Sequence, residues 1–533
     1  VRYLMAVIGA PVAMWVVCLG CGLALERLLR VRLSNALLLP LGLCVAFVLI
    51  FPGYAAGAGD ALAIALLVGV SLAGLIFAGG GLRARLNPGW AGAAGLGAYV
   101  LYMLPVIAYG HWTWSGYDFV NDSAFEMLLA SHIKGYGLKL GAIPLTSEQQ
   151  FLMSYLNSGY PLGTQSLLGT LSGLTHTDVA VLYQGFISSL AALAAVALAT
   201  ISRGLLGARR AALVGFAAVA ANLTYQYALQ GDIKEIGLMA TVCAGVAVGR
   251  EAIELARPYA GAVLLAVVGA AMMATYNAVA LPYLGGLVLF GALGVMLAGG
   301  KPPNVRWIGP LLAGGCLAAV LAIPSLISFK TFFQVAQAGQ GATGVGASQL
   351  GQLLRPLPLS QLGGVWLSGE YRVAIASQHA GLLTAIATAV VLTAIVPAVA
   401  WALWARKPAV PVAVAMVGLV LLVVFPRVST YSQGKLLAMS SPLVVLAGLV
   451  GLLSAVGAAR RAGAARPVRW LGALGGLAAV AVALAIVASD LLAYNHDLVA
   501  PTARIEAIRE TGDHFAGQGL VLWNEFEEYA KYF

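Results

Sequence analysis

Apolar residues run through this chain in long unbroken stretches separated by short polar breaks, with neither the strict alternation of a half-buried strand nor the one-sided stripe of a surface helix. A helix needs about 20 mainly apolar residues to cross roughly 30 Å of hydrocarbon. About fourteen stretches approach that length, at approximately 4–25, 35–51, 60–80, 91–109, 179–201, 212–229, 236–250, 259–276, 279–300, 308–328, 381–404, 409–425, 441–457 and 471–490. Backbone groups in lipid must be satisfied within a helix or a closed barrel, and continuous apolar runs select helices. The expected fold is an all-α polytopic membrane protein, with residues 1–490 as its transmembrane domain and 491–533 as a polar carboxy-terminal segment.

Composition agrees. With 61% hydrophobic and 9% charged residues among 533, the chain has too little charge to cover a water-soluble globule of this size. The five cysteines (Cys18, Cys21, Cys44, Cys243 and Cys316) all fall inside expected spans, where they act as small apolar residues rather than exterior staples.

Charge then orients the chain. One set of alternate loops carries Arg27, Arg30 and Arg32; Arg83 and Arg85; Arg203, Arg209 and Arg210; Arg250 and Arg257; Lys301 and Arg306; Arg406 and Lys407; and Arg460, Arg461, Arg466 and Arg469, eighteen of the thirty basic residues. By the positive-inside rule these loops are cytoplasmic, which places both termini on the exterior of a cell membrane. The same loops hold only Glu26, Glu251 and Glu254, so the other seventeen carboxylates and all six histidines lie on or near the exterior face. The net charge of +10 thus records membrane orientation, not nucleic-acid binding.

Two long exterior loops, 110–178 and 329–380, interrupt the spans, and loops of that length are usually functional. In the first, Ser123 and Glu126 fit a capping box, and Phe125, Leu128, Leu129 and Ile133 recur at helical spacing until Gly135 and Gly137, as in an amphipathic helix lying in the membrane interface. A second short helix is expected after Pro161. In the second loop, 338–348 is rich in Gly, Ala and Ser, a segment able to order over a substrate or to serve as a plain connector. The tail is expected to form a helix at 502–516 and a short strand at 519–523, and either to dock on the exterior face or to begin a small domain.

Candidate chemistry concentrates on that face. Tyr117 through Ser123 is the densest polar run; Asp122 and Glu126, four apart, share a helix face at the lipid boundary, where low dielectric raises a carboxyl pKa and suits a general base. Asp118 is the neighbouring alternative, and helix capping is the plain reading of Asn121 and Asp122. Lys234 and Glu235, beside Asp232, open one span; Arg427, Tyr431 and Lys435 precede another. Cations on this side oppose the usual bias, so Lys234, Arg427 and Lys435 are candidates to neutralise a phosphate, snorkelling being their structural alternative. His379 stands where the second loop enters a span, placed to donate to a leaving phosphate or simply to hydrogen-bond at the interface. Asp118, Asp122 and His132 match no metal spacing, so a divalent metal stays an open alternative with no motif behind it. No Gly-x-x-x-x-Gly-Lys-Ser/Thr, His-Glu-x-x-His or Gly-x-Ser-x-Gly occurs, which argues against nucleotide hydrolysis and zinc proteolysis. The cytoplasmic loops are too short for a nucleotide-sugar domain, so a sugar donor would arrive attached to lipid.

With its acidic Asn121-Asp122 just after a span, a helix following it, and basic residues on later exterior loops, residues 91–440 resemble the GT-C superfamily of membrane glycosyltransferases. The resemblance implies transfer of a sugar from a polyprenyl-phosphate carrier to a glycan, lipid or protein acceptor. Asp122 would be the base, Asp118 its understudy, and Lys435, Arg427 and Lys234 the phosphate's partners. One departure is that the family usually places the acidic loop after the first span, so three added amino-terminal spans, or a different fold, are required. Two other classes compete. A transporter or lipid flippase predicts a midplane cavity lined by Asn222, Thr224, Gln226 and Asn277, whereas a non-enzymatic envelope-assembly partner predicts no convergence of Asp122 with Lys435.

Overall fold

The computed structural model describes residues 1–117, 122–141, 144–299, 308–341, 350–461, 466–524 and 527–533. Asp118 and Asn121 lie outside the described residues, as does most of the Gly-rich 338–348 segment. Among the described residues there are helices and no strands, only an isolated antiparallel bridge between Ser115 and Val499; the expected strand at 519–523 is irregular chain.

Among the described residues ten helices are long and apolar enough to cross a membrane, or twelve if two bent pairs each count as one span. Two of the fourteen expected stretches make up the difference. The segment at 91–109 is divided at Met103 into Trp90–Tyr102 and Leu104–Tyr109, each too short alone. The stretches flanking Asn277 count together as Pro258–Leu289. Asn277 has φ +42, and the chain folds back there, so that a Cβ on Gly269 would meet Leu284 at 3.2 Å.

Val179–Leu206 is the axis of the bundle and is buried along its whole apolar window. Its alanines allow backbones to approach closely: a Cβ on Gly215 would lie 2.7 Å from the Ala199 nitrogen, and one on Gly95 3.1 Å from the Ala192 oxygen. Peripheral helices such as Gln378–Trp404 and Trp470–Asn495 are mostly exposed and turn Leu382, Val396, Leu477 and Leu484 outwards, as lipid contact requires.

Ion pairs and a hydrogen bond gather the described arginine loops around Glu26, Arg85, Glu251, Glu254 and Lys407 at one end. Arg85 pairs with Glu26, Glu251 accepts from the Ser34 N–H at 3.0 Å, and Lys407 lies 3.8 Å from Glu254. All three carboxylates of those loops are thereby engaged.

The opposite end carries both long loops. The first folds into Asp122–Tyr136, Ser147–Asn157 and Gly163–Thr175. The helix after Asp122 does not lie as an amphipathic surface element: Ala124, Glu126, Met127, Leu129, Ala130 and Ile133 are all buried in protein. Nor does it carry the capping box, since Ser123 bonds the Tyr529 hydroxyl at 2.6 Å and Glu126 turns inward. The second loop, from residue 350, packs into the bundle, burying Leu362, Val365 and Tyr371. It also repairs a broken helix. Ala208–Val219 and Asn222–Leu229 meet at 56°, and the Asn222 N–H freed by that break donates to the Gly364 carbonyl at 3.0 Å. The tail forms its expected helix as Thr502–Phe515 and docks: Arg2 pairs with Glu506, Tyr532 donates to Asp178 at 2.6 Å, and Tyr529 accepts from Trp114 Nε1 at 3.0 Å.

Candidate functional site

Four segments far apart in sequence bring ionisable side chains together at the end opposite the arginines. Glu126 comes from the first loop, Asp232, Lys234 and Glu235 from the turn and first residues of Ile233–Glu254, and Lys435 from the second turn of Thr430–Arg461. Tyr276 closes the group from the end of Pro258–Tyr276. All five charged side chains are buried, Asp232 wholly.

Lys234 Nζ donates to Glu126 Oε1 at 3.0 Å and lies 3.5 Å from Glu235 Oε2. Lys435 Nζ donates to Glu235 Oε1 at 2.5 Å and lies 3.8 Å from Asp232 Oδ1. The Tyr276 hydroxyl donates to Glu235 Oε1 at 2.8 Å, the Tyr160 hydroxyl to Glu126 Oε1 at 3.3 Å, and Gln165 Nε2 to Glu126 Oε2. Aromatic faces cover the ammonium groups: Lys234 sits 5.1 Å from the Tyr160 ring centre and Lys435 4.5 Å from that of Tyr431. Neither oxygen of Asp232 has a hydrogen-bond partner among the described residues.

Asp122 stands at the edge of this group, half-buried, with no ion pair or side-chain hydrogen bond among the described residues. Burial pushes its carboxyl above the ordinary carboxylate range; Lys234 and Lys435 pull it down, and Glu126 and Glu235 push it further up. The result is two unequal acids on one helix face. Glu126 is held by a lysine and an amide, while Asp122 has no such partner among the described residues.

The turn before Asp232 sets the geometry. Gly231 has φ +90, and a Cβ there would meet Ser123 Cβ at 2.8 Å and the Tyr183 hydroxyl at 3.1 Å. Ser123 adjoins Asp122, so Gly231 lets the two acidic segments approach. Gly231→Ala is expected to cost about 1–3 kcal/mol of stability from the backbone alone and to separate Asp122 from Lys234, read as a lower melting temperature.

Among the sequence candidates, Glu126, Lys234, Glu235, Tyr431 and Lys435 come together, with Asp122 beside them. His379 and Arg427 do not: His379 is exposed on the first turn of its span, and Arg427 is exposed and donates to the Val423 carbonyl of its own helix. His132, weighed as a metal ligand, meets the Lys139 carbonyl through Nε2 at 2.7 Å and stacks on Tyr136. Among the described residues no three His, Cys, Asp or Glu side chains are grouped to hold a metal ion. Gln165 and Tyr276 were not foreseen; each is a polar residue in an otherwise apolar or small-residue run, a signal too common to single out.

A cavity of about 780 Å³ adjoins the cluster, walled by Tyr160 and Tyr155 on one side and Phe332 on another. The polar residues expected of a transport pathway each make a hydrogen bond within the bundle, although the Asn277 Oδ1 has no partner among the described residues. Asn222 donates to Asp490 at 3.1 Å, Gln226 to Asn222 at 2.7 Å, Thr224 to the Ala438 carbonyl at 2.6 Å and Asn277 to Ser328 at 3.0 Å.

No family model matches this chain, and no curated protein matches it. Among solved structures it is similar to the oligosaccharyltransferase of the archaeon Archaeoglobus fulgidus in its apo form, with TM-score 0.47 and 11% identity, covering 83% of this chain and 63% of that one. It is similar as well to the Archaeoglobus fulgidus oligosaccharyltransferase AglB bound to an inhibitory peptide and a dolichol-phosphate, with TM-score 0.45, 11% identity and the same coverage. A third structure, the A. fulgidus enzyme with Zn and sulfate, gives TM-score 0.47 and 11% identity over 83% of this chain and 61% of that one. The chain therefore spans less than two thirds of the length of these neighbours.

Proposed function

We propose that this protein is a GT-C-type membrane glycosyltransferase that moves a sugar from a polyprenyl-phosphate carrier to an acceptor hydroxyl on the exterior face of a cell membrane. The observation that carries this reading is the convergence of Asp122 with Lys234 and Lys435 at the end of the bundle opposite the arginine loops, beside an open cavity. Desolvating several charges is costly, and a purely structural core of this kind is often no less stable when rebuilt from apolar side chains. Retaining it suits chemistry at the membrane boundary.

In the proposed reaction the acceptor oxygen forms a bond to the sugar's anomeric carbon while the bond from that carbon to the carrier phosphate breaks. The acceptor proton passes to the Asp122 carboxylate, and the electron pair leaves with the polyprenyl phosphate. Each ammonium has three N–H donors and each lysine meets two carboxylates, which leaves a donor for a phosphate oxygen. Glu126 and Glu235 hold the two lysines in place, and Tyr431 backs Lys435. His379 and Arg427 have no part in this arrangement.

The test uses purified protein in liposomes with a polyprenyl-phosphate-linked labelled sugar and a glycan acceptor. Labelled acceptor and released polyprenyl phosphate are expected in equal amounts. Movement of the intact lipid-linked sugar between leaflets, with no release of carrier, overturns the proposal in favour of a flippase.

A further inference from the structure

We infer that the cavity of about 780 Å³ between the helix Ser147–Asn157 and Phe332 is a binding site for an uncharged oligosaccharide, and that this oligosaccharide is the acceptor. Assigning it to the acceptor rests on the transferase reading; the affinity for sugar does not.

The volume is that of a small-molecule site. Its walls combine aromatic surface with amides and hydroxyls and carry no acid or base: Gln150, Ser154 and Asn157 line it from successive turns of one helix face, Tyr155 and Tyr160 supply rings, and Phe332 closes the far side. Gln150, Ser154 and Asn157 make no side-chain hydrogen bond among the described residues, so their donors and acceptors are available to hydroxyl groups. A phosphate or a uronate would find no charged partner among the described lining residues, which makes its desolvation unfavourable. An acyl chain would cover Gln150 and Asn157 and leave both amides unpaired. A neutral polyol with apolar ring faces satisfies every wall.

Position links this cavity to the charged group. Rings run in series from the acidic helix to the cavity: Phe125 to Phe151 at 4.5 Å, Phe151 to Tyr155 at 4.4 Å, and Tyr155 to Tyr160 edge-on at 4.8 Å. Tyr160 is the shared wall, facing the cavity on one side while its hydroxyl meets Glu126 and its ring lies under Lys234. Tyr155 lies in the field of Lys234, Glu126, Asp122 and Lys435. The cavity therefore shares one wall, Tyr160, with the charged group, and the cations lie behind that wall for the phosphate of the donor.

Saturation-transfer NMR on the full chain in nanodiscs reads binding without turnover, using neutral trisaccharides of glucose, mannose, galactose and arabinose, and a glucuronate trisaccharide of equal length. At least one neutral trisaccharide is expected to bind, and the glucuronate compound to bind at least tenfold more weakly. Asn157→Ala and Tyr155→Leu are each expected to weaken that binding about tenfold, a loss of one hydrogen bond or one stacking face. In the liposome assay the same variants are expected to raise KM for acceptor by a similar factor, with KM for the lipid-linked donor unchanged. Failure of every neutral trisaccharide to bind, equal binding of the glucuronate compound, or occupation of the cavity by a photo-crosslinking phospholipid would each overturn the inference while leaving the transferase reading intact. Trisaccharide binding at this site without sugar transfer would uphold the site and remove the transferase reading.

Discussion

Asp122→Asn is expected to lower sugar transfer by about 10²–10⁴-fold, the usual share of a general base, while the protein remains folded. Asn matches Asp in size and shape, so Asp122–Tyr136 is expected to keep its first turn. Asp122 has no partner among the described residues to lose. Its carboxyl is raised by burial, so the folded state binds a proton more tightly than the unfolded chain does. Stability contributed by the protonated form is then lost as pH rises from the ordinary carboxylate value through the raised one, and above that value ionised Asp122 is a net cost. The Asn variant removes the cost and is expected to melt at the same or a higher temperature near neutral pH. A base must be ionised to act, so kcat/KM of the native chain should rise with pH through the raised value, and the variant's residual rate should lack that limb. Full activity in the variant would remove Asp122 from the mechanism, and a collapsed melting temperature would make its role structural.

Charge is so sparse in this chain that the position of each ionisable residue is itself informative, which is why Asp122, Glu126, Lys234, Glu235 and Lys435 stand out from the sequence. Their pairing does not. Asp122 and Glu126 share a helix face, yet one is half-buried and the other is clamped by Lys234 and Gln165, because burial depends on the helices Gly163–Thr175 and Ile233–Glu254 packed against that face. The match of Lys435 to Glu235 spans 200 residues and depends on how two spans cross, which local periodicity does not encode. His379 and Arg427 show the converse. Placement near a membrane boundary made them candidates, but the boundary runs round the whole bundle and the site occupies only one sector of it. The reading of the second loop as a lid or a connector rests on its Gly-, Ala- and Ser-rich 338–348 segment, most of which lies outside the described residues; the part from residue 350 is tied into the bundle, the Tyr371 N–H donating to Gln226, its hydroxyl to Gln230, and the Gly364 carbonyl accepting from Asn222. The course of the tail follows Tyr529, whose hydroxyl joins Trp114 to Ser123, one residue from Asp122, a long-range contact that the polar sequence of the tail does not encode.

Lys435→Met should have the largest effect on stability. The ammonium is the hydrogen-bonded cation on Glu235 at 2.5 Å and lies 3.8 Å from Asp232, neither of whose oxygens has a hydrogen-bond partner among the described residues. Methionine fills a similar volume, so packing is largely kept and the change isolates charge. Removing one side of a buried pair leaves the other uncompensated and typically costs about 3–5 kcal/mol. Lys234, 3.5 Å from Glu235, offsets only part of this because it is already engaged with Glu126. The loss should appear as a lower midpoint of thermal or denaturant unfolding in nanodiscs. Adding Glu235→Gln to Lys435→Met removes the stranded carboxylate and should recover most of the stability, so the coupling energy from the double-mutant cycle is expected to be large. Transfer should not recover with it. If Lys435 serves the carrier phosphate, the stabilised double variant remains folded and still shows a raised KM for the lipid-linked donor, whereas recovery of both stability and donor KM would confine Lys435 to holding the fold.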